Sequence, residues 1–119
     1  MKAIALAFLL ISVAGAVYAQ DCSAVPPTCM NANNRGMQLL QQFPSTTGIY
    51  DSASQGYCGA LVGIEVNRFC AKQYRAIGRD DCANLLDQQT AEYQNALPQY
   101  EATIDASSVN RTREACVWE

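Results

Sequence analysis

The sequence predicts an all-α protein, a small bundle of three to four helices stapled by disulfides behind a cleaved signal peptide. Three observations carry this expectation. Apolar residues recur at three- and four-residue steps through most of the chain, all six cysteines fall after residue 20, and the first nineteen residues have the make-up of a secretory leader.

The leader comes first. Lys2 precedes the apolar run Ala3 to Ala16, and Val17-Tyr18-Ala19 places small residues where signal peptidase requires them. Cleavage after Ala19 divides the chain into a signal peptide, 1–19, and a single disulfide-linked helical domain, 20–119. The apolar stretch, about 17 residues, is at the short limit for crossing a bilayer, and no later segment is apolar enough to insert. The expected location is secreted and extracellular, with no membrane insertion of the mature chain.

Residues 21–28, with Pro26-Pro27, read as an extended lead-in held by Cys22 and Cys29. Met37, Leu40 and Phe43 recur at three-residue steps and predict a first short helix from Asn31 to Phe43, closed by Pro44. A loop rich in Ser, Thr and Gly follows. The strongest periodicity runs from Gln55 to Ile77, where Cys58, Val62, Val66, Phe69, Gln73 and Ile77 form one stripe, widened by Leu61, Cys70 and Tyr74. Gly78 is placed to end that second helix in the left-handed conformation, and Gly59 with Gly63 offers a shallow face to a neighbour. Asp80-Asp81 then reads as the N-cap of a third helix, in which Cys82, Leu86, Gln89, Tyr93, Ala96 and Tyr100 follow a 4-3-4-3-4 spacing. Pro98 should end or kink it near Leu97. Asp105 to Ser108 supplies the cap of a short last helix carrying Val109, Arg113, Cys116 and Val117, with Trp118 packed at its end.

Helix arithmetic restricts the pairing of Cys22, Cys29, Cys58, Cys70, Cys82 and Cys116. At 1.5 Å of rise per residue, Cys58 and Cys70 stand about 18 Å apart along one helix and cannot bond to each other. In antiparallel neighbours, Cys29 at the start of the first helix comes level with Cys70. Cys82, near the start of the third helix, is then within reach of the lead-in at Cys22, and Cys58–Cys116 follows by elimination. The expected bonds are Cys22–Cys82, Cys29–Cys70 and Cys58–Cys116.

The chemistry is marked by what is missing. There is no histidine, which removes Ser-His and Cys-His nucleophilic machinery, and no C-x-x-C, so no metal site and no cofactor are expected. Glu65 with Asp51 or Asp87 is the one carboxylate pairing worth examining for glycoside hydrolysis, which needs carboxyl groups about 5–10 Å apart in a cleft. In the mature chain seven Lys and Arg face eleven acids, a net charge of −4 that disfavours nucleic acid and anionic membranes as partners. Asn110-Arg111-Thr112 is a glycosylation sequon, so Asn110 is a candidate glycan site. Among the aromatic residues, Tyr93 and Tyr100 lie on a core stripe, whereas Tyr74 and Trp118 are the candidates for an exposed interface.

These features predict a secreted, non-enzymatic protein acting through its folded surface on an extracellular protein, as a signal, a toxin-like effector or an inhibitor. Two alternatives stand beside it. A structural component of an extracellular or mineralised matrix would tolerate mild acidity and cross-linking, although repeats and acidic runs are missing. A carrier of a small apolar ligand would make use of the aromatic residues and of Gly59 and Gly63.

Overall fold

The computed structural model describes residues 22–118; the signal peptide expected at 1–19 lies outside them. Among the described residues there are four helices and no strand: α1 (Pro27–Thr47), α2 (Ser52–Ala76), α3 (Asp80–Thr103) and α4 (Ala106–Ala115). The all-α, disulfide-stapled bundle expected from the periodicity is what forms.

Each helix begins where the chain satisfies its first free N–H groups. α1 starts at Pro27, four residues before the expected Asn31, because a proline in the first turn has no N–H to leave unsatisfied and already holds a helical φ. α2 starts at Ser52, where the Asp51 carboxylate accepts from the Ser54 N–H at 2.8 Å. Asp105 caps α4 in the same way, accepting from the Ser108 N–H at 2.8 Å, as its sequence indicates. For α3 the expectation needs correction. Arg79 occupies the cap position without a side-chain capping bond, and Asp80 and Asp81 sit inside the first turn, where their charge complements the helix dipole.

Two helices also run past the prolines, so that α1 is not closed at Pro44 and α3 does not end at Pro98. α1 continues through Pro44 to Thr47, because local partners take up the final carbonyls. Ser45 donates to Gln42, Thr47 to Phe43 and the Gly48 N–H to Pro44. α3 continues through Pro98 to Thr103, since the residues beyond the proline are held by tertiary contacts. Tyr100 packs on Gly56 of α2, and Glu101 bonds to Tyr57 and Arg113. Gly78, at φ +78°, closes α2 as expected: its N–H donates to the Arg75 carbonyl and the Arg79 N–H donates to the Tyr74 carbonyl, the double bond pattern of a left-handed cap.

α2 is the central element. It is flanked along its length by α3 and α1 and crossed at its N-terminal half by α4. Its register with antiparallel α3 is fixed by three contacts: Gly56 against Tyr100, Gly63 against Tyr93, and the Asn67 amide donating to the Gln89 side chain at 3.0 Å. The steps of seven and four residues up α2 are matched by seven and four back along α3. A Cβ added at Gly63 would lie 2.8 Å from Cε2 of Tyr93, and one at Gly56 would lie 2.8 Å from Cε1 of Tyr100. Toward α3 the shallow face is built by Gly56 with Gly63, and tyrosine rings fill it. On the other side, Thr28 on α1 donates to Gln73 on α2 at 2.6 Å, which places those two helices antiparallel as well.

Three disulfides tie these elements together with the pairings the helix levels require: Cys22–Cys82, Cys29–Cys70 and Cys58–Cys116. They span sequence separations of 60, 41 and 58. Closing a loop of that size removes unfolded-chain entropy worth about 4 kcal/mol taken singly, and less in combination because the loops overlap. The main core gathers the cystines with Leu40, Phe43, Val62, Val66, Tyr74, Leu86 and Trp118. A smaller cluster of Tyr57, Ile104 and Val109 seats α4.

Candidate functional site

The two residues expected at an exposed interface are both buried. Tyr74 is 1 % exposed, and its hydroxyl donates to the Cys22 carbonyl at 2.6 Å. Burial pushes its phenol above the ordinary value. Trp118 is 7 % exposed, and its indole N–H donates to the Ala32 carbonyl at 3.1 Å. Each aromatic body is paid into the core because a backbone carbonyl from a distant segment satisfies its polar tip.

Trp118 nevertheless underlies a surface feature. Cys116, bonded to Cys58, brings the chain end back across α2, so the indole lies 5.3 Å from the Phe69 ring and under the Arg35 guanidinium, 4.5 Å from its centroid. A cleft of about 180 Å³ opens beside it, lined by Glu65, Arg68, Phe69, Lys72 and Trp118. The four α2 residues share one helical side, being three and four positions apart. Arg35 from α1 lies over the Trp118 ring, which lines the cleft.

The electrostatics of this cleft set it apart. Arg75 pairs with Asp87 at 2.7 Å, Arg79 with Asp81 at 3.0 Å and Arg113 with Glu101 at 2.9 Å, while Arg111 donates to the Thr47 carbonyl. Arg35, Arg68 and Lys72 make no ion pair among the described residues. Three of the seven Lys and Arg side chains among the described residues of an acidic chain thus stand together, and Glu65 is the carboxylate that lines the cleft among those residues.

At the opposite end of α2, Tyr57, Glu101 and Arg113 form a closed triangle. The Tyr57 hydroxyl donates to Glu101 Oε2 at 2.8 Å and accepts from Arg113 Nε at 2.9 Å, while Arg113 also bonds Glu101 at 2.9 Å. Burial, followed by the Glu101 carboxylate, pushes the Tyr57 phenol up, and the Tyr57 hydroxyl and Arg113 hold the Glu101 carboxyl down. Tyr57 is fully buried and its oxygen is engaged twice, so the triangle fastens α3 and α4 to α2 and presents no free nucleophile or base.

The carboxylates considered for hydrolysis are not brought together. Asp51 and Glu65 lie fourteen residues apart on one helix, about 21 Å of rise, and Asp87 is held to Arg75, about 15 Å along α2 from Glu65. Among the described residues, Cys22, Asp81 and Cys82 cluster closely enough to suggest a metal, but both sulfurs are locked in one disulfide. An open groove of about 270 Å³ lies between the start of α2 and the end of α3, lined by Ala53, Ala96, Gln99, Tyr100 and Thr103. The space at Gly56 and Gly63 is occupied by Tyr100 and Tyr93, so the glycines leave no room there for an apolar ligand.

Asn110 is exposed on α4, but Thr112, the third residue of its sequon, is fully buried. Sequence reasoning missed Arg35, Arg68 and Lys72. A helical projection of the second helix shows Glu65, Arg68 and Lys72 on one side, whereas nothing local to Arg35 indicates that it will sit over an indole 83 positions away. The chain matches no protein-family model, no curated protein and no solved structure.

Proposed function

We propose that this is a secreted, non-enzymatic protein that acts by binding an acidic segment of an extracellular protein at the Arg35–Arg68–Lys72 cleft. Secretion rests on the leader-like N-terminus and on three disulfides of the kind that persist in oxidising compartments; no described helix is long and apolar enough to cross a membrane. The carrying observation is charge complementarity: three cations without ion pairs among the described residues gather at a cleft over aromatic residues in a chain that is otherwise acidic. A protein segment fits better than a sulfated glycan, because Glu65 interrupts the cationic rim and the net charge of the mature chain repels an extended polyanion. Phe69 and Val117, half-buried and exposed respectively, add apolar contact beside the charges.

The test is saturation binding of the labelled, oxidised protein to the soluble and insoluble extracellular fractions of its source, at low and at physiological salt. Arg68→Glu/Lys72→Glu reverses two exposed charges without touching the core, and Glu92→Lys on α3 serves as control. Each rim charge is worth up to about 1 kcal/mol, so the double reversal should weaken low-salt binding about tenfold while the control leaves it unchanged. Protease treatment of the target should abolish binding. Binding indifferent to the double reversal, or lost to glycan-degrading enzymes and not to protease, overturns the reading. Recovery of the native protein solely in insoluble material would favour a matrix role.

A further inference from the structure

Asn110-Arg111-Thr112 is the single N-x-S/T sequence in the chain, and the fold fixes it in three ways. It lies within α4, on a helical backbone. Thr112 is 0 % exposed, with its Oγ1 enclosed and without a hydrogen-bond partner. Arg111 donates to the Thr47 carbonyl at the end of α1, and Cys116, four residues beyond Thr112, is bonded to Cys58 on α2. The Asn110 side chain faces solvent.

N-glycosylation transfers an oligosaccharide from a polyisoprenyl pyrophosphate donor. The sugar C1–O bond to pyrophosphate breaks, a bond forms from C1 to the asparagine Nδ2, the amide gives up a proton and the lipid pyrophosphate leaves. The transferase must draw the acceptor backbone out into its own groove and grip the hydroxyl two residues on. In the folded protein that hydroxyl is sealed, and the backbone around it is hydrogen-bonded and cross-linked.

We infer that Asn110 accepts a glycan only while α4 is undocked, so that closure of Cys58–Cys116 switches the acceptor off and occupancy records which event came first. A ten-residue helix has little stability of its own, so before the disulfide forms α4 is available to the enzyme. Once attached, the glycan projects from an exposed side chain and leaves the packing of Val109 and Thr112 undisturbed, so the modified chain reaches the same fold. In the cell this rests on passage through the secretory route proposed above.

The experiment supplies purified oligosaccharyltransferase and lipid-linked donor to two forms of the chain: the native protein with its disulfides closed, and the same protein reduced and alkylated. Asn110→Gln provides the blank. The reduced chain should be modified at Asn110 at least tenfold faster than the native one. In secreting cells, Cys58→Ser/Cys116→Ser, read in the intracellular pool as well as the medium, should carry a larger glycosylated fraction than the parent. Equal transfer to native and reduced chains, or none to the reduced chain, overturns the inference. Because enzyme and donor are added directly, that failure would leave the secretion and binding proposals untouched.

Discussion

Thr112→Val exchanges a buried hydroxyl that has nothing to bond for a methyl group of nearly the same size. A buried unsatisfied polar group costs about 1–3 kcal/mol, and valine and threonine have similar helix propensities, so little else changes. The expected result is a gain of about 1–2 kcal/mol. For a domain near 100 residues each kcal/mol moves Tm by about 4–8 °C, so the shift is well within reach of thermal and urea unfolding followed by circular dichroism. Parent and variant should be oxidised and free of glycan, since the substitution also destroys the sequon. Thr112→Ser keeps the orphan hydroxyl and deletes the methyl, so it should lose about 1 kcal/mol. A Thr112→Val protein less stable than its parent by more than about 0.5 kcal/mol would refute the reasoning, because it would mean that the hydroxyl has a bonded partner, such as an internal water.

Two further outcomes test the packing and the charges. Gly63→Ala should destabilise, because its Cβ would stand 2.8 Å from the Tyr93 ring; overpacking costs about 1–3 kcal/mol and improved helix propensity returns about 1. On a Tyr93→Ala background the same change should become stabilising, and a loss in both backgrounds would show that the ring is not the obstacle. The pH dependence has two arms, both read from urea midpoints. The Glu101 carboxyl is held below its ordinary value of 4.5, by the Tyr57 hydroxyl first and then Arg113, so its contribution is full above that value and fades as pH falls through the lower folded one. Glu101→Gln should flatten the acid arm. Burial raises the Tyr93 phenol well above 10, so that contribution is full below pH 10 and is lost as pH rises toward the folded value. Tyr93→Phe should extend stability on the alkaline side.

The helices were legible because their apolar periodicity is strong, and the disulfides were legible because axial rise alone separates Cys58 from Cys70. What local rules could not supply was the outcome at Pro44 and Pro98. A proline removes one donor and crowds one turn, but the helix continues where other contacts hold the residues beyond it, and the Tyr100–Gly56 contact joins residues 44 apart in sequence. The glycine face shows a related limit. Gly56 and Gly63 are both visible in the sequence, yet what pairs them is that their seven-residue spacing mirrors Tyr93 and Tyr100 on the facing helix.

The interface residues were misread for a specific physical reason. Tyr74 and Trp118 have polar tips, which from sequence suggests a partly wet position, but each tip meets a backbone carbonyl, one 52 and the other 86 residues away. Their apolar bodies can then be buried without leaving a donor unsatisfied. The same burial determines how the cleft can bind. With the indole N–H committed to Ala32 and the ring beneath Arg35, the proposed partner would meet guanidinium and ammonium groups over an aromatic floor that is already covered. Truncating Trp118 would therefore damage the fold and reveal little about recognition. Reversing Arg68 and Lys72 changes only what a partner would encounter, and its effect should appear in the association rate and salt dependence, as expected for exposed charges at the rim of a contact.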